Sequence, residues 1–144
     1  MENKCELLCF ISENINMGLS SISYIIKLLE KTDNKIKESL TSEEEKYKEY
    51  DKKCKRLEKK YKLTVDHSKK IVKLMASINM NIELMKDNSD AKIADMLIKG
   101  YTMGNLELTK KIESLSTCKK DIISLANSLL KYGTKEIENL KEYL

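Results

Sequence analysis

The chain contains no proline, and only four glycines are spread through its 144 residues. Turn-rich folds are closed to such a sequence. A β-sandwich reverses direction every ~8–12 residues, and those reversals draw on Gly and Pro. A parallel α/β sheet needs strands rich in Val and Ile, yet Val65 and Val72 are the only valines. What remains is an all-α chain, read as a single domain over residues 1–144 and long enough to bury about 70% of its unfolded surface.

Apolar spacing locates the helices. From about Glu2 to Lys31, Leu8, Ile11, Ile15, Gly18, Ile22, Ile25 and Leu29 recur three and four residues apart and form one stripe. Thr32-Asp33-Asn34 breaks the pattern and offers capping side chains to a second helix. There Ile36, Leu40, Glu43, Tyr47, Tyr50, Cys54, Leu57 and Tyr61 keep the same spacing. So short a connection predicts an antiparallel hairpin. A shorter third helix is expected from a cap at Thr64 or Asp66 to about Lys86, through Ile71, Met75, Ile78, Ile82 and Met85. After Asp87-Asn88-Ser89-Asp90, a fourth spans roughly Ala91 to Leu115 through Ile93, Leu97, Gly100, Gly104 and Leu108. The last carries Ile122, Ala126, Leu129, Gly133, Ile137, Leu140 and Leu144. The expected architecture is an antiparallel four-helix bundle with an additional middle helix, either a crossover or a fifth member.

Charge and cysteine content narrow the environment. The net charge of +4 comes from 26 Lys and the single Arg56 against 23 acids. Readers of phosphates and guanines favour the planar fork of Arg, so nucleic acid is not the expected partner. Residues 46–73 hold 12 basic and four acidic side chains. Lys48, Lys52, Lys55, Lys59 and Lys62 line one face, a solvated one, with binding to an anionic partner as the sharper alternative. No apolar run approaches the ~20 residues of a membrane span, and no secretory leader is apparent. The expected compartment is the cytoplasm, with four reduced thiols.

Two stretches resemble a known group. Asn16-Met17-Gly18-Leu19-Ser20-Ser21-Ile22 and Lys92-Ile93-Ala94-Asp95-Met96-Leu97-Ile98-Lys99-Gly100-Tyr101-Thr102-Met103-Gly104, with the closing Glu136-Ile137-Glu138-Asn139-Leu140-Lys141, resemble uncharacterised clostridial ferritin-like helical bundles of unknown function. The resemblance implies an architecture and no reaction. Members of that group tend to carry His at the position of Lys92, three residues before the acid that is Asp95 here. They also tend to carry acids where this chain reads Tyr132-Gly133-Thr134. A metal site inherited from them would lack much of its ligand set.

The residues themselves offer no catalytic constellation. Di-iron chemistry needs two Glu-x-x-His pairs, and the single histidine, His67, has Thr64 three positions before it. A carboxylate-only site could draw on Glu13, Glu43, Asp95 and Glu107. Only Glu43 sits on an apolar stripe, where solvation or pairing to Lys is the expected state. His67, beside Asp66, reads as a surface or capping residue. Cys5 and Cys9 share a helix face, but a thiolate metal site needs more ligands than Cys54 and Cys118 clearly supply. Neither metal nor cofactor is expected.

The glycines are the unusual feature. Gly18, Gly100, Gly104 and Gly133 fall on helix stripes, where each costs up to ~1 kcal/mol relative to Ala. Close helix approach is the favoured explanation. The other is a ligand pocket bounded by Met17, Gly18, Gly100, Met103, Gly104 and Gly133, with Tyr101 and Tyr132 nearby. Three functions follow: a non-catalytic interaction or assembly module that binds a protein partner or itself, a degenerate ferritin-like carrier of metal or small ligand, and an electrostatic binder of an anionic partner.

Overall fold

Stripes of apolar residues at helical spacing give the first two helices one buried face each, and the computed structural model sets those faces together. It describes residues 5–63, 80, 83–114 and 118–144. Helix α1 runs Glu6–Leu28, α2 Lys37–Tyr61, α3 Asp90–Ser114 and α4 Lys120–Leu140, followed by a 3-10 turn over Lys141–Tyr143. The chain is all-helical. Among the described residues there is no strand, and no helix is long and apolar enough to cross a membrane.

The helix ends show what the spacing could not. Helix α1 begins with Cys5 as its cap, the thiol accepting the Leu8 N–H at 3.5 Å. It stops at Leu28, three residues before the expected end, where Thr32 turns back onto the Leu29 carbonyl. The start of α2 differs from expectation too. No side chain of Thr32-Asp33-Asn34 caps it; its N-cap is Ile36, which has no side-chain oxygen to offer. The carboxylate of Asp90, at the start of α3, accepts the backbone N–H groups of Lys35 at 3.1 Å and Ile36 at 3.3 Å. It also accepts the Asn34 amide at 3.0 Å. Helix α3 is capped locally, the Ser89 hydroxyl accepting the Lys92 N–H at 3.2 Å.

Cross-helix contacts fix directions. Ser23 donates to Glu44 at 2.6 Å, and Gly18 faces Tyr47 nearer the other end, so α1 and α2 are antiparallel. Helices α2 and α4 also oppose each other: Tyr50 reaches the Ser128 carbonyl, and Tyr61 donates to Asp121 at 2.7 Å. Lys111 on α3 pairs with Glu6 on α1 at 2.9 Å, and Gly104 lies against Asn14. These pairings make α2 and α3 run the same way. The chain leaves α2 beside Asp121 and enters α3 beside Ile36, at opposite ends. Of the middle helix expected through Ile71, Met75, Ile78 and Ile82, with its caps at Thr64 or Asp66, residues 64–79 and 81–82 lie outside the described residues, as does His67; residues 83–86 are helical, and Leu84 joins the core. Met85, at its end, is exposed.

One contiguous core joins all four helices. On α1 and α2 it takes nearly every stripe residue, from Leu8 to Leu29 and from Ile36 to Cys54. On α3 the buried face is Ile93, Ala94, Tyr101 and Leu108. Ile93 and Leu108 of the expected stripe belong to that face, but between them it is rotated one position, with Ala94 and Tyr101 buried in place of Leu97, Gly100 and Gly104.

Candidate functional site

The rotation of α3 leaves a groove. Its Leu97, Gly100 and Gly104 face α1 across a cavity of about 430 Å³, floored by Ile22, Ile25 and Leu129. Five of the six pocket residues named from sequence, Met17, Gly18, Gly100, Met103 and Gly104, line this one cavity, and Gly133 does not. Tyr47 and Tyr101 close its inner wall. Asn14, Ser21 and Asn105 contribute neutral polar groups. Among the described residues, the charged side chains on the lining are Glu13 and Glu107, and no Lys or Arg reaches it.

The four glycines divide into two kinds. A Cβ on Gly18 would stand 2.7 Å from the Tyr47 ring, and one on Gly133 would stand 2.5 Å from the Asn105 side chain. Both positions are therefore close approaches, as expected. Gly100 and Gly104 are not. A Cβ on Gly104 meets only Asn14 at 3.4 Å, an ordinary contact, and one on Gly100 meets nothing within 4 Å. The flat strip they form borders the groove and touches α1 only at Asn14 among the described residues.

Behind the inner wall lies a buried polar cluster. Tyr47 and Tyr50 from α2, Tyr101 from α3 and Tyr132 from α4 stack and cross with centroids 5.8–6.4 Å apart. Such offset and edge-on geometries suit the ring quadrupoles. Glu43 sits among them with no exposed surface. One carboxyl oxygen, Oε1, accepts the Tyr101 hydroxyl at 2.5 Å. The other, Oε2, is buried without a hydrogen-bond partner among the described residues. The expectation of a solvated or Lys-paired Glu43 is thus corrected: a stripe position in mid-bundle puts the side chain inside, and its partner is a phenol. Burial pushes the carboxyl up to about 7, against the Tyr101 bond and with added repulsion from Glu136. Glu136, nearly buried on α4 and bonded to the Asn139 amide at 3.1 Å, is raised by burial as well. The phenols of Tyr47, Tyr101 and Tyr132 are raised far above their usual range, chiefly by burial. At neutral pH the phenols keep their protons, while the Glu43 carboxyl stands near the midpoint of its titration.

No family model, characterised protein or solved structure matches the chain. Chemistry must therefore be judged from the side chains alone. The carboxylates considered for metal are scattered: Glu43 is sealed in the core, Glu13 and Glu107 edge the groove, and Asp95 pairs with Lys99 at 2.8 Å. Among the described residues no three His, Cys, Asp or Glu side chains gather as metal ligands would. Lys48, Lys52, Lys55, Lys59 and Lys62 are all exposed, with Tyr47 and Tyr50 turned into the core. Two of those lysines pair along their own helix, Lys48 with Glu44 at 3.6 Å and Lys55 with Asp51 at 2.9 Å.

Sequence reasoning missed Tyr101 and Glu136 as core residues, along with the meeting of Cys5 and Cys118, whose sulfurs stand 2.9 Å apart. Glu136 carried a legible signal, three residues after Gly133 and four before Leu140 on the same stripe. The cysteine contact carried none, since the two lie 113 positions apart.

Proposed function

We propose that this chain is a non-catalytic binding module, a ferritin-like four-helix bundle that carries a small apolar ligand between α1 and α3. The observation that carries the reading is the pair Gly100 and Gly104. Each forgoes up to ~1 kcal/mol of helix stability, and among the described residues a Cβ at either position would meet nothing closer than Asn14 at 3.4 Å. What the glycines keep open is a cavity of about 430 Å³, within the size range of small-molecule sites. Its walls favour a neutral or cationic ligand, because among the described residues the charged side chains on its lining are Glu13 and Glu107. The ferritin-like assignment is supported by α2 and α3 running the same way, as they do in bundles of that class. A reducing cytoplasm is the compartment this reading assigns to the four thiols.

Native mass spectrometry of protein purified without added metal or chelator tests the proposal. The expected result is a stoichiometric organic adduct, and uptake of a neutral apolar dye that Gly100→Leu abolishes. An unadorned mass, together with equal dye uptake by the Gly100→Leu and Gly104→Leu variants, would sink it.

A second reading, self-association, is favoured by Leu106, 55% exposed on the outer face of α3 and one turn from Met103 at the rim of the groove. Sedimentation velocity across a concentration series, repeated on Leu106→Lys, separates the two. Assembly lost in that variant with dye uptake intact would establish both roles as distinct.

A further inference from the structure

Cys5 caps the first turn of α1, and Cys118 immediately precedes Lys119, the N-cap of α4. Their sulfurs are 2.9 Å apart, about 0.9 Å beyond the length of an S–S bond. Helices α1 and α4 begin at the same end of the bundle, one in each hairpin, so this contact is where the two hairpins meet through sulfur. Both thiols are half-buried, within reach of a small reagent. Cys54 differs, being sealed in the core. We propose that Cys5 and Cys118 form a reversible disulfide clasp, made by exchange with a low-molecular-weight disulfide of the glutathione class.

The step balances without any group the protein lacks. One protein thiolate attacks a sulfur of the reagent disulfide RS–SR, forms a mixed disulfide and releases RS⁻. The second protein thiolate attacks the protein sulfur of that mixed disulfide and releases the other RS⁻. Two protein thiols are oxidised, one reagent disulfide is reduced to two RSH, and the protein ends lighter by two hydrogen atoms. Burial and the Cys5 thiol hold Cys118 protonated, up to about 11, so the pair rests reduced until such a reagent arrives. Closure ties the start of α1 to the start of α4 and makes a covalent ring of residues 5–118, from which α4 departs.

The experiment incubates the full chain with oxidised glutathione, traps thiols by alkylation, and maps disulfides by non-reducing digestion and mass spectrometry. The expected product joins Cys5 to Cys118, in about tenfold or greater excess over glutathionylated protein, because the second thiol is held in place. Cys118→Ser should halt at a mixed disulfide on Cys5. The same incubation in urea should lose the preference for the 5–118 pair. The proposal is overturned if glutathione stays attached to Cys5 or Cys118 as the end product. It is equally overturned if Cys5 pairs with Cys9, if all four thiols remain alkylable, or if the product mixture is the same in urea.

Discussion

Glu43→Gln should separate the charge of the buried carboxyl from its shape. Glu43 has no exposed surface, and its carboxyl is pushed up to about 7 from an ordinary 4.5. The folded state therefore binds this proton more tightly than the unfolded state does. Between those two values the folded chain carries more protons, so stability falls as pH rises. The stabilisation is fully present below pH ~4.5 and is lost by the time pH has passed ~7, and the whole change is worth about 3 kcal/mol. Glutamine keeps an oxygen to accept the Tyr101 hydroxyl and removes the titration. Urea unfolding at half-unit steps from pH 4.5 to 8.5 reads the difference. Wild type should lose about 3 kcal/mol across the window, while Glu43→Gln keeps only the shallower slope left by Glu136. At the acidic end the two should agree within about 1–3 kcal/mol, since both then bury a neutral side chain, the amide leaving two N–H donors without a partner where the carboxyl leaves one O–H. Parallel curves at all pH values would refute the reasoning, because the carboxyl would then be ionised and solvated in the folded state.

Tyr101→Phe removes the donor to Glu43 and leaves both carboxyl oxygens without a partner; a loss of about 1–3 kcal/mol in urea is expected, steeper above pH 7. Gly18→Ala and Gly100→Ala should differ in sign. The first drives a methyl into the Tyr47 ring and costs about 1–3 kcal/mol. The second meets open space and gains about 0.5–1 kcal/mol, so thermal melts of the pair decide whether the glycines serve two purposes. Asp90→Ala strips the cap from the start of α2 and should cost about 1–2 kcal/mol, with hydrogen exchange accelerating at Lys35 and Ile36 ahead of the rest of α2.

Helices α1 and α2 were legible because each has a single apolar stripe, so spacing alone chose the buried face. Leu8 through Leu29 and Ile36 through Cys54 needed no further information. Helix α3 was harder, for it has apolar residues on two adjacent faces. Ala94, Tyr101 and Leu108 recur at seven-residue spacing and enter the core, while Leu97, Gly100 and Gly104 recur beside them and face the groove. Periodicity cannot say which of two neighbouring stripes a partner will cover. The glycine pattern on α3 was seen correctly as unusual but explained by contact with a helix, because local sequence carries no record of what lies across from a residue. The cap on α2 and the Cys5–Cys118 contact were beyond reach for the same reason, each joining positions more than 50 residues apart. Glu43 lay on the predicted stripe. Its fate hinged on a phenol 58 positions later.

The borrowed cap bears on the order of events during synthesis. The α1–α2 hairpin leaves the ribosome ahead of Asp90, with the N–H groups of Lys35 and Ile36 at the turn into α2 still without that carboxylate. Domains tend to fold as units from the N-terminal side as they emerge. Here that unit is incomplete by design: its apolar stripes are present, but the turn into α2 stays unlatched until the second hairpin packs alongside. A truncated nascent chain ending near residue 63 should therefore be recognisable to proteases by a soft spot at residues 34–38, which closes once residue 90 has arrived.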